Sequence, residues 1–368
     1  MNQQAFGIAG LQGYVEVLHG TEKTTSATAS FITLRGRAIM SKRHALALAV
    51  AVAVVVASRA VEATTWQSLA GVQSFDEAIQ VEAFLPNELW VHVGDSITWT
   101  FPAGEIHTVT FLKPGQVRPS NGAGCPGTTP DHSNFDGSAC VHSGSLLDGG
   151  TYTVTFPTAG NFKVVCLVHD DMTGAVHVLG PSEALPYQQA FYDDQAKTQR
   201  DGLLKDGAIQ LGLLKARAQQ NPGLQVNAGS GEIVGTGGGT NTVSVYRYTP
   251  ESIVVKVGDT LEWTNVDPKT AHTVTFGTRP SGPPQPPSAG VSQDSDGARH
   301  AVLASPGSSV HSGFLVAAFQ DRIGLAQSDL GVTRFRVTFM TPGTFDYICS
   351  IHDQVGMTGR VIVQQAGP

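Results

Sequence analysis

Lysine and arginine are scarce: 23 stand against 30 aspartates and glutamates, so the 368-residue chain carries a net charge of −7, and charged side chains make up only 14% of it. Such a surface is repelled by a phosphate backbone, which excludes nucleic acid as a main partner and favours a partner with a basic face. Long apolar runs are scarce too. The longest, residues 45–57, has 13 residues, whereas a membrane-spanning helix needs about 20, so no membrane span is expected in the mature chain. Cysteine occurs four times, at 125, 140, 166 and 349, and methionine five times.

What is plentiful points to strands. Gly at 42 and Pro at 20, with abundant Val and Thr, favour short strands joined by turns over helical bundles. The length suffices for two domains, each with its own core. The 13-residue run has the form of a secretory signal. Lys42, Arg43 and His44 precede it, and Ser58-Arg59-Ala60 or Val61-Glu62-Ala63 offers small residues for cleavage. Residues 1–63 are therefore expected to be an N-terminal extension plus signal peptide, and the protein to be exported, periplasmic or extracellular. An uncleaved anchor, or an organelle lumen addressed by residues 1–39, are the alternatives. Cleavage near Ala63 removes six basic and three acidic residues, leaving 17 against 27 and a net charge of −10. Export permits disulfides. Cys125 and Cys140 share a Gly-, Pro- and Asp-rich loop and are expected to pair, closing a loop whose cross-link stabilises the fold by about 3 kcal/mol.

The chain repeats itself. Residues 151–162 align without a gap on residues 334–345, and the same offset of 183 carries Cys166 onto Cys349 and His169 onto His352. Upstream, Val91-His92-Val93-Gly94-Asp95 matches Val255-Lys256-Val257-Gly258-Asp259, and His107-Thr108-Val109-Thr110-Phe111 matches His272-Thr273-Val274-Thr275-Phe276. Alternation such as Ile97-Thr98-Trp99-Thr100-Phe101 marks strands with one buried face, so each copy is expected to be a Greek-key β-sandwich with Trp99 or Trp263 in its core. The predicted architecture is all-β: a linker at 64–75, a first sandwich at 76–180, a helical connector and Gly-rich linker at 181–241, and a second sandwich at 242–368. Within the connector Leu203, Leu204, Ala208, Leu211 and Lys215 recur at helical spacing; Pro181 or Ser182 would open that helix and Asn221-Pro222-Gly223 end it. The Pro-rich insertion at 279–288 and the stretch on to 329 are expected as surface loops.

The segment 347–359 places a thiol (Cys349), an imidazole (His352) and a thioether (Met357) on one short loop between strand-like flanks. With a second imidazole, His272, supplied from the start of a strand, this is the His2Cys set with a weak axial Met that suits blue copper. The first copy offers His107, Cys166, His169 and Met172. There the Met follows its His after two residues rather than four, but Met172-Thr173-Gly174 and Met357-Thr358-Gly359 identify the equivalent position. Zinc prefers several thiolates or a tetrahedral set without thioether. His92 and His177 have no histidine counterpart in the second copy. His142 and His311 share Val-His-Ser-Gly and are read as ancestral turn residues rather than a second metal or partner site; His132 and His300 fall in loops.

Both copies resemble cupredoxins, the blue copper proteins: Cys-Leu-Val-His-Asp-Asp-Met looks like the short amicyanin loop, Cys-Ser-Ile-His-Asp-Gln-Val-Gly-Met like the plastocyanin loop. The resemblance implies a type 1 copper in each domain, one-electron transfer, and an electron exit at His169 and His352 on the exposed end of each sandwich. Copper nitrite reductases resemble the layout, but carry a His before the copper Cys, where this chain has Val165 and Ile348. Multicopper oxidases need His-x-His pairs, and none occurs here. The expectation is therefore an exported electron carrier serving a redox partner, not an enzyme. A copper-sequestering protein is the alternative, and an oxidoreductase subunit using His142 or His311 a weaker one. Asp170 and Asp171 beside His169 are expected to lower the first site's potential relative to the second.

Overall fold

Strand formation follows the alternation. In the computed structural model, residues 62–120, 123–125, 132–282, 286–317 and 331–365 are described; the extension and signal segment up to residue 61 lie outside them. The first copy supplies β1 (Thr65–Gln73), β2 (Ile79–Leu85), β3 (Glu88–His92), β4 (Ser96–Phe101), β5 (Thr110–Phe111), β6 (His132–Asn134), β7 (Val141–His142), β8 (Gly150–Thr155), β9 (Gly160–Val165) and β10 (Thr173–Leu179). A helix, α1 (Gln189–Gln220), leads to the second: β11 (Gln225–Gly235), β12 (Thr240–Thr249), β13 (Ser252–Lys256), β14 (Thr260–Val266), β15 (Thr275–Phe276), β16 (Ser292–Gln293), β17 (Arg299–Leu303), β18 (Val310–His311), β19 (Arg334–Phe339), β20 (Gly343–Ile348) and β21 (Thr358–Gln364). Burial alternates residue by residue in β4, β14 and β19, and Trp99 and Trp263 are buried in their respective cores.

The sandwiches are not joined by a flexible link. Sheets β3-β10-β9-β5-β7 and β13-β21-β20-β15-β18 each cover half of one eleven-stranded sheet, ordered β16-β17-β19-β14-β11-β12-β2-β1-β4-β8-β6. The halves meet where β2 pairs antiparallel with β12, Glu82 opposite Thr242 and Ile79 opposite Val245. Two boundaries are thereby corrected. Residues 64–75, expected as a linker, carry β1, which pairs with β2 and β4. Residues 225–235, within the expected Gly-rich linker, form β11, paired to β12 along its length. The glycines serve close approach: a Cβ on Gly238 would lie 2.4 Å from the Asn87 carbonyl oxygen, and one on Gly239 2.5 Å from that of Thr173. Only a chain without side chains there lets the β11–β12 hairpin lie against the first domain.

Helix α1 begins after Gln188, later than Pro181, and ends where expected, the Asn221 N–H donating to the Arg217 carbonyl. It covers the junction of the two half-sheets: Ala196 and Leu203 pack with Val72, Ile79, Val81, Leu85 and Val243, and Leu211 and Leu214 with Ala78 and Val245. Among the described residues, no helix is long and apolar enough to cross a membrane. Cys125 and Cys140 are disulfide-bonded, their Cα atoms 5.7 Å apart. Replacing both by serine should cost about 3 kcal/mol, read as a lower denaturant midpoint with a slope that is equal or steeper, because the freed denatured chain exposes more surface; an unchanged midpoint would mean the loop is held by other contacts.

Candidate metal centres

Each copy holds its ligands with the same backbone devices. His107 and His272 sit just before β5 and β15, each bonded both ways to a facing residue: His107 N–H to Leu146 O and Leu146 N–H to His107 O, both 3.0 Å, and His272 with Leu315 at 3.0 and 2.7 Å. Cys166 and Cys349 follow directly on β9 and β20. In the first loop Cys166 N–H donates to Met172 O at 3.0 Å and Met172 N–H to His169 O at 3.1 Å; the second repeats both bonds between Cys349, Met357 and His352 at the same lengths. The two extra residues of the second loop are taken up by a 3-10 turn, Asp353–Val355, closed by Gly356 at φ +82°. Met172 and Met357 are therefore equivalent despite their different spacing, and both are fully buried.

The ligands converge. His107, Cys166 and His169 bring their donor atoms within 4.8 Å of one another, as do His272, Cys349 and His352. Two imidazole Nδ1 atoms face each other at 3.1 Å in both sites, with the sulfur 3.8 Å from His169 Nδ1 and 3.4 Å from His352 Nδ1. The threonine after each first histidine, whose role the sequence pattern did not reveal, ties the two ligand segments together. Thr108 N–H donates to Cys166 Sγ at 3.3 Å and its hydroxyl accepts from Leu167 N–H at 2.7 Å; Thr273 does the same for Cys349, at 3.4 Å, and Ser350, at 2.8 Å.

The electrostatics favour a charged thiolate. Burial opposes the Cys166 thiolate, but the facing His107 and His169 outweigh it and hold the thiol's pKa well below its ordinary value; burial is likewise outweighed at Cys349 by His352 and His272. Burial also opposes an imidazolium, yet Glu82 and the Cys166 thiolate push His169 up to about 10, while Asp267 and the Cys349 thiolate push His272 up to about 9. Without metal, a thiolate facing an imidazole of raised pKa is the favoured charge arrangement in each site. Because the raised imidazole retains its proton throughout the range below its pKa, copper uptake at pH 7 should release about one proton per site and weaken as pH falls. An indicator titration in unbuffered solution checks this, and uptake without proton release would contradict it.

Sequence reasoning also missed two glycines. Gly71 in β1 and Gly229 in β11 lie at β-bulges with φ +77° and +83°, where a Cβ would stand 2.1 Å from Nε2 of His107 and His272 respectively. The dipeptides Ala70-Gly71 and Ala228-Gly229 repeat, and that repetition was the available signal. Glu82, Glu105 and Asp267 were equally unforeseen: His169 Nε2 lies 3.9 Å from Glu82 and 3.7 Å from Glu105, and His272 Nε2 3.8 Å from Asp267.

Two expectations change. His169 and His352 are not at an open surface; both are buried and line a cleft of about 650 Å³ between the domains. Asp170 and Asp171 do not act as free charges beside His169, since Arg118 pairs with Asp170 at 3.5 Å and the buried Lys269 of the second domain pairs with Asp171. His142 and His311 stay outside both ligand groups, their Nδ1 atoms bonded to Thr110 Oγ1 at 2.9 Å and Thr275 Oγ1 at 2.8 Å. His92 contacts Glu183 O, His132 contacts Thr155, His177 is held by Glu88 and Asn161, and His300 by Asp294 and Thr338.

The donor chemistry fits copper. Two imidazoles and a thiolate, buried together beside a core methionine, satisfy a soft cation and suit no ordinary core. Residues 236–364 match the family described as copper binding proteins, plastocyanin/azurin family. No curated protein matches the chain. Among solved structures it is similar to plastocyanin from Dryopteris crassirhizoma, at 22% identity over 38% of this chain and 99% of that one, TM-score 0.20. It is similar also to auracyanin from Roseiflexus castenholzii, at 20% over 32% and 98%, TM-score 0.23, and to a copper-containing nitrite reductase from Thermus scotoductus, at 12% over 83% and 68%, TM-score 0.21. The copper-binding family is thus matched by the second domain, residues 236–364, and the His–Cys–His group found there is repeated in the first domain.

Proposed function

We propose that the protein is an exported carrier of single electrons, binding one type 1 copper in each domain. The observation that carries this is the pair of buried His–Cys–His groups, each locked to a core methionine by the same two backbone bonds. Bound copper supplies the one-electron step between Cu(I) and Cu(II). The chain's own contribution is rigidity. Bonds from Leu146 and Leu315 fix the first imidazoles, Thr108 and Thr273 fix the sulfurs, and a frame that does not move between oxidation states keeps transfer fast. The residues before each Cys, Val165 and Ile348, give no imidazole relay to a catalytic metal, and the sequence has no His-x-His pair, so an electron-passing rather than substrate-converting role is supported. The acidic balance suits a redox partner with a basic surface.

Burial of His169 and His352 supports a second reading, in which the domains sequester copper. Metal content and visible spectra decide between them. The carrier is expected to bind two coppers and show an intense charge-transfer band that bleaches reversibly, with Cys166→Ser and Cys349→Ser each losing one copper's share of it. Binding of Cu(I) alone, with no such band, would establish sequestration instead.

A further inference from the structure

We propose that Glu82 and Tyr246 form an electron path joining the two copper sites inside the molecule. The proposal rests on both sites being type 1 copper. β2 and β12 are corresponding strands of the two copies, and their pairing brings Glu82 and Tyr246 to the same buried junction, where Tyr246 N–H also donates to Ala78 O at 2.9 Å. Tyr246 Oη donates to Glu82 Oε1 at 3.2 Å, and that oxygen lies 3.9 Å from Nε2 of the ligand His169. On the other side, the Tyr246 ring lies against the ring of the ligand His352, centroids 4.2 Å apart and 31° from parallel. One hydrogen bond and two close contacts thus run from an imidazole of one site to an imidazole of the other, and all four side chains are buried.

Packing alone does not explain the pair. Glu82 is fully buried, its Oε2 has no hydrogen-bond partner among the described residues, and Thr270 Oγ1 adds a further 3.2 Å bond to Oε1. Keeping a carboxyl group there costs stability that an apolar side chain would not. Burial holds the Tyr246 phenol well above its ordinary pKa, so it remains a protonated donor. The step moves one electron from the reduced site to the oxidised one; no bond forms, no proton leaves, and Tyr246 and Glu82 end unchanged.

The test uses the full chain in a Met357→Leu background, because changing one axial ligand gives the two coppers different spectra and potentials. After a pulse that reduces a small fraction of the copper, the electron should redistribute between the two bands at a rate independent of protein concentration. Tyr246→Leu should slow that phase by about tenfold, equivalent to about 1.4 kcal/mol on the barrier. Glu82→Ala should slow it as well, while Glu82→Gln, which keeps the contacts, should change it by less than about threefold. An unchanged rate in Tyr246→Leu or Glu82→Ala with both coppers bound, or a rate that scales with protein concentration, would overturn the path. Should Tyr246→Leu fail to fold, Glu82→Ala decides. A parent protein that takes up copper at neither site would overturn the copper reading itself, and the path with it.

Discussion

Gly229→Ala should empty or cripple the second copper site while leaving the first intact. A Cβ at Gly229 would stand 2.1 Å from Nε2 and 2.3 Å from Cδ2 of His272. The histidine cannot retreat, because its N–H and C=O are both bonded to Leu315 and its ring is fully buried against Tyr246. The ring must rotate or the bulge must shift, and either moves Nδ1 from its place 3.1 Å from His352 Nδ1. Loss of such an orienting contact costs about 10–100-fold in metal affinity, and a direct clash with the ligand belongs at the upper end. Copper content should fall from two toward one per chain, with the remaining band matching that of Cys349→Ser. Gly71→Ala should do the same to the first site, where the Cβ would stand 2.1 Å from His107 Nε2. Gly258→Ala is the control: its φ is +91° but no atom of the described residues lies within 4 Å, so it carries the left-handed strain of about 1–2 kcal/mol without the clash. Equal copper loss in Gly258→Ala and Gly229→Ala would refute the cradle.

The two His–Cys–His groups were legible because they repeat. Cys166, His169, Cys349 and His352 share one offset, and the Thr-Gly after each methionine located Met172 where spacing alone misplaced it. The sandwiches were legible because alternation writes a half-buried strand directly into the sequence. The junction was not. Residues 225–235 contain three glycines and read as a link, since nothing local distinguishes a glycine chosen for flexibility from one chosen because a neighbouring backbone lies 2.4 Å from its missing Cβ, as at Gly238. Likewise β2, with all seven residues buried, lacks the alternation that marks a one-sided strand; it is covered by β1, β12 and α1 at once. Glu82 within it is recognisable only when the second domain is in place, for its partners Tyr246 and Thr270 lie more than 160 residues away.

Gly207→Leu should separate the stability of the molecule from its metal chemistry. Gly207 faces the junction from α1, and even a Cβ there would lie 2.4 Å from Ile79 Cγ2 and 2.9 Å from Val243 Cγ1, one residue from each domain. Both are branched side chains in a packed core with Val81 and Leu203 and have no room to withdraw. Overpacking of this kind costs about 1–3 kcal/mol per site, and a leucine where no Cβ fits should reach the upper part of that range or lift the helix. The helix is what covers the β2–β12 seam, so its loss should turn a single unfolding transition into two, one per domain. Copper should nevertheless bind at both sites, because each ligand set lies wholly within one domain, residues 107–172 in the first and 272–357 in the second. Calorimetry on the metal-free and loaded protein checks both halves of the expectation. One transition that merely moves to lower temperature would show that the strand pairing alone couples the domains. Loss of copper together with the helix would show that the sites depend on the seam, in contrast to Gly229→Ala, which is expected to remove a metal without loosening the domains.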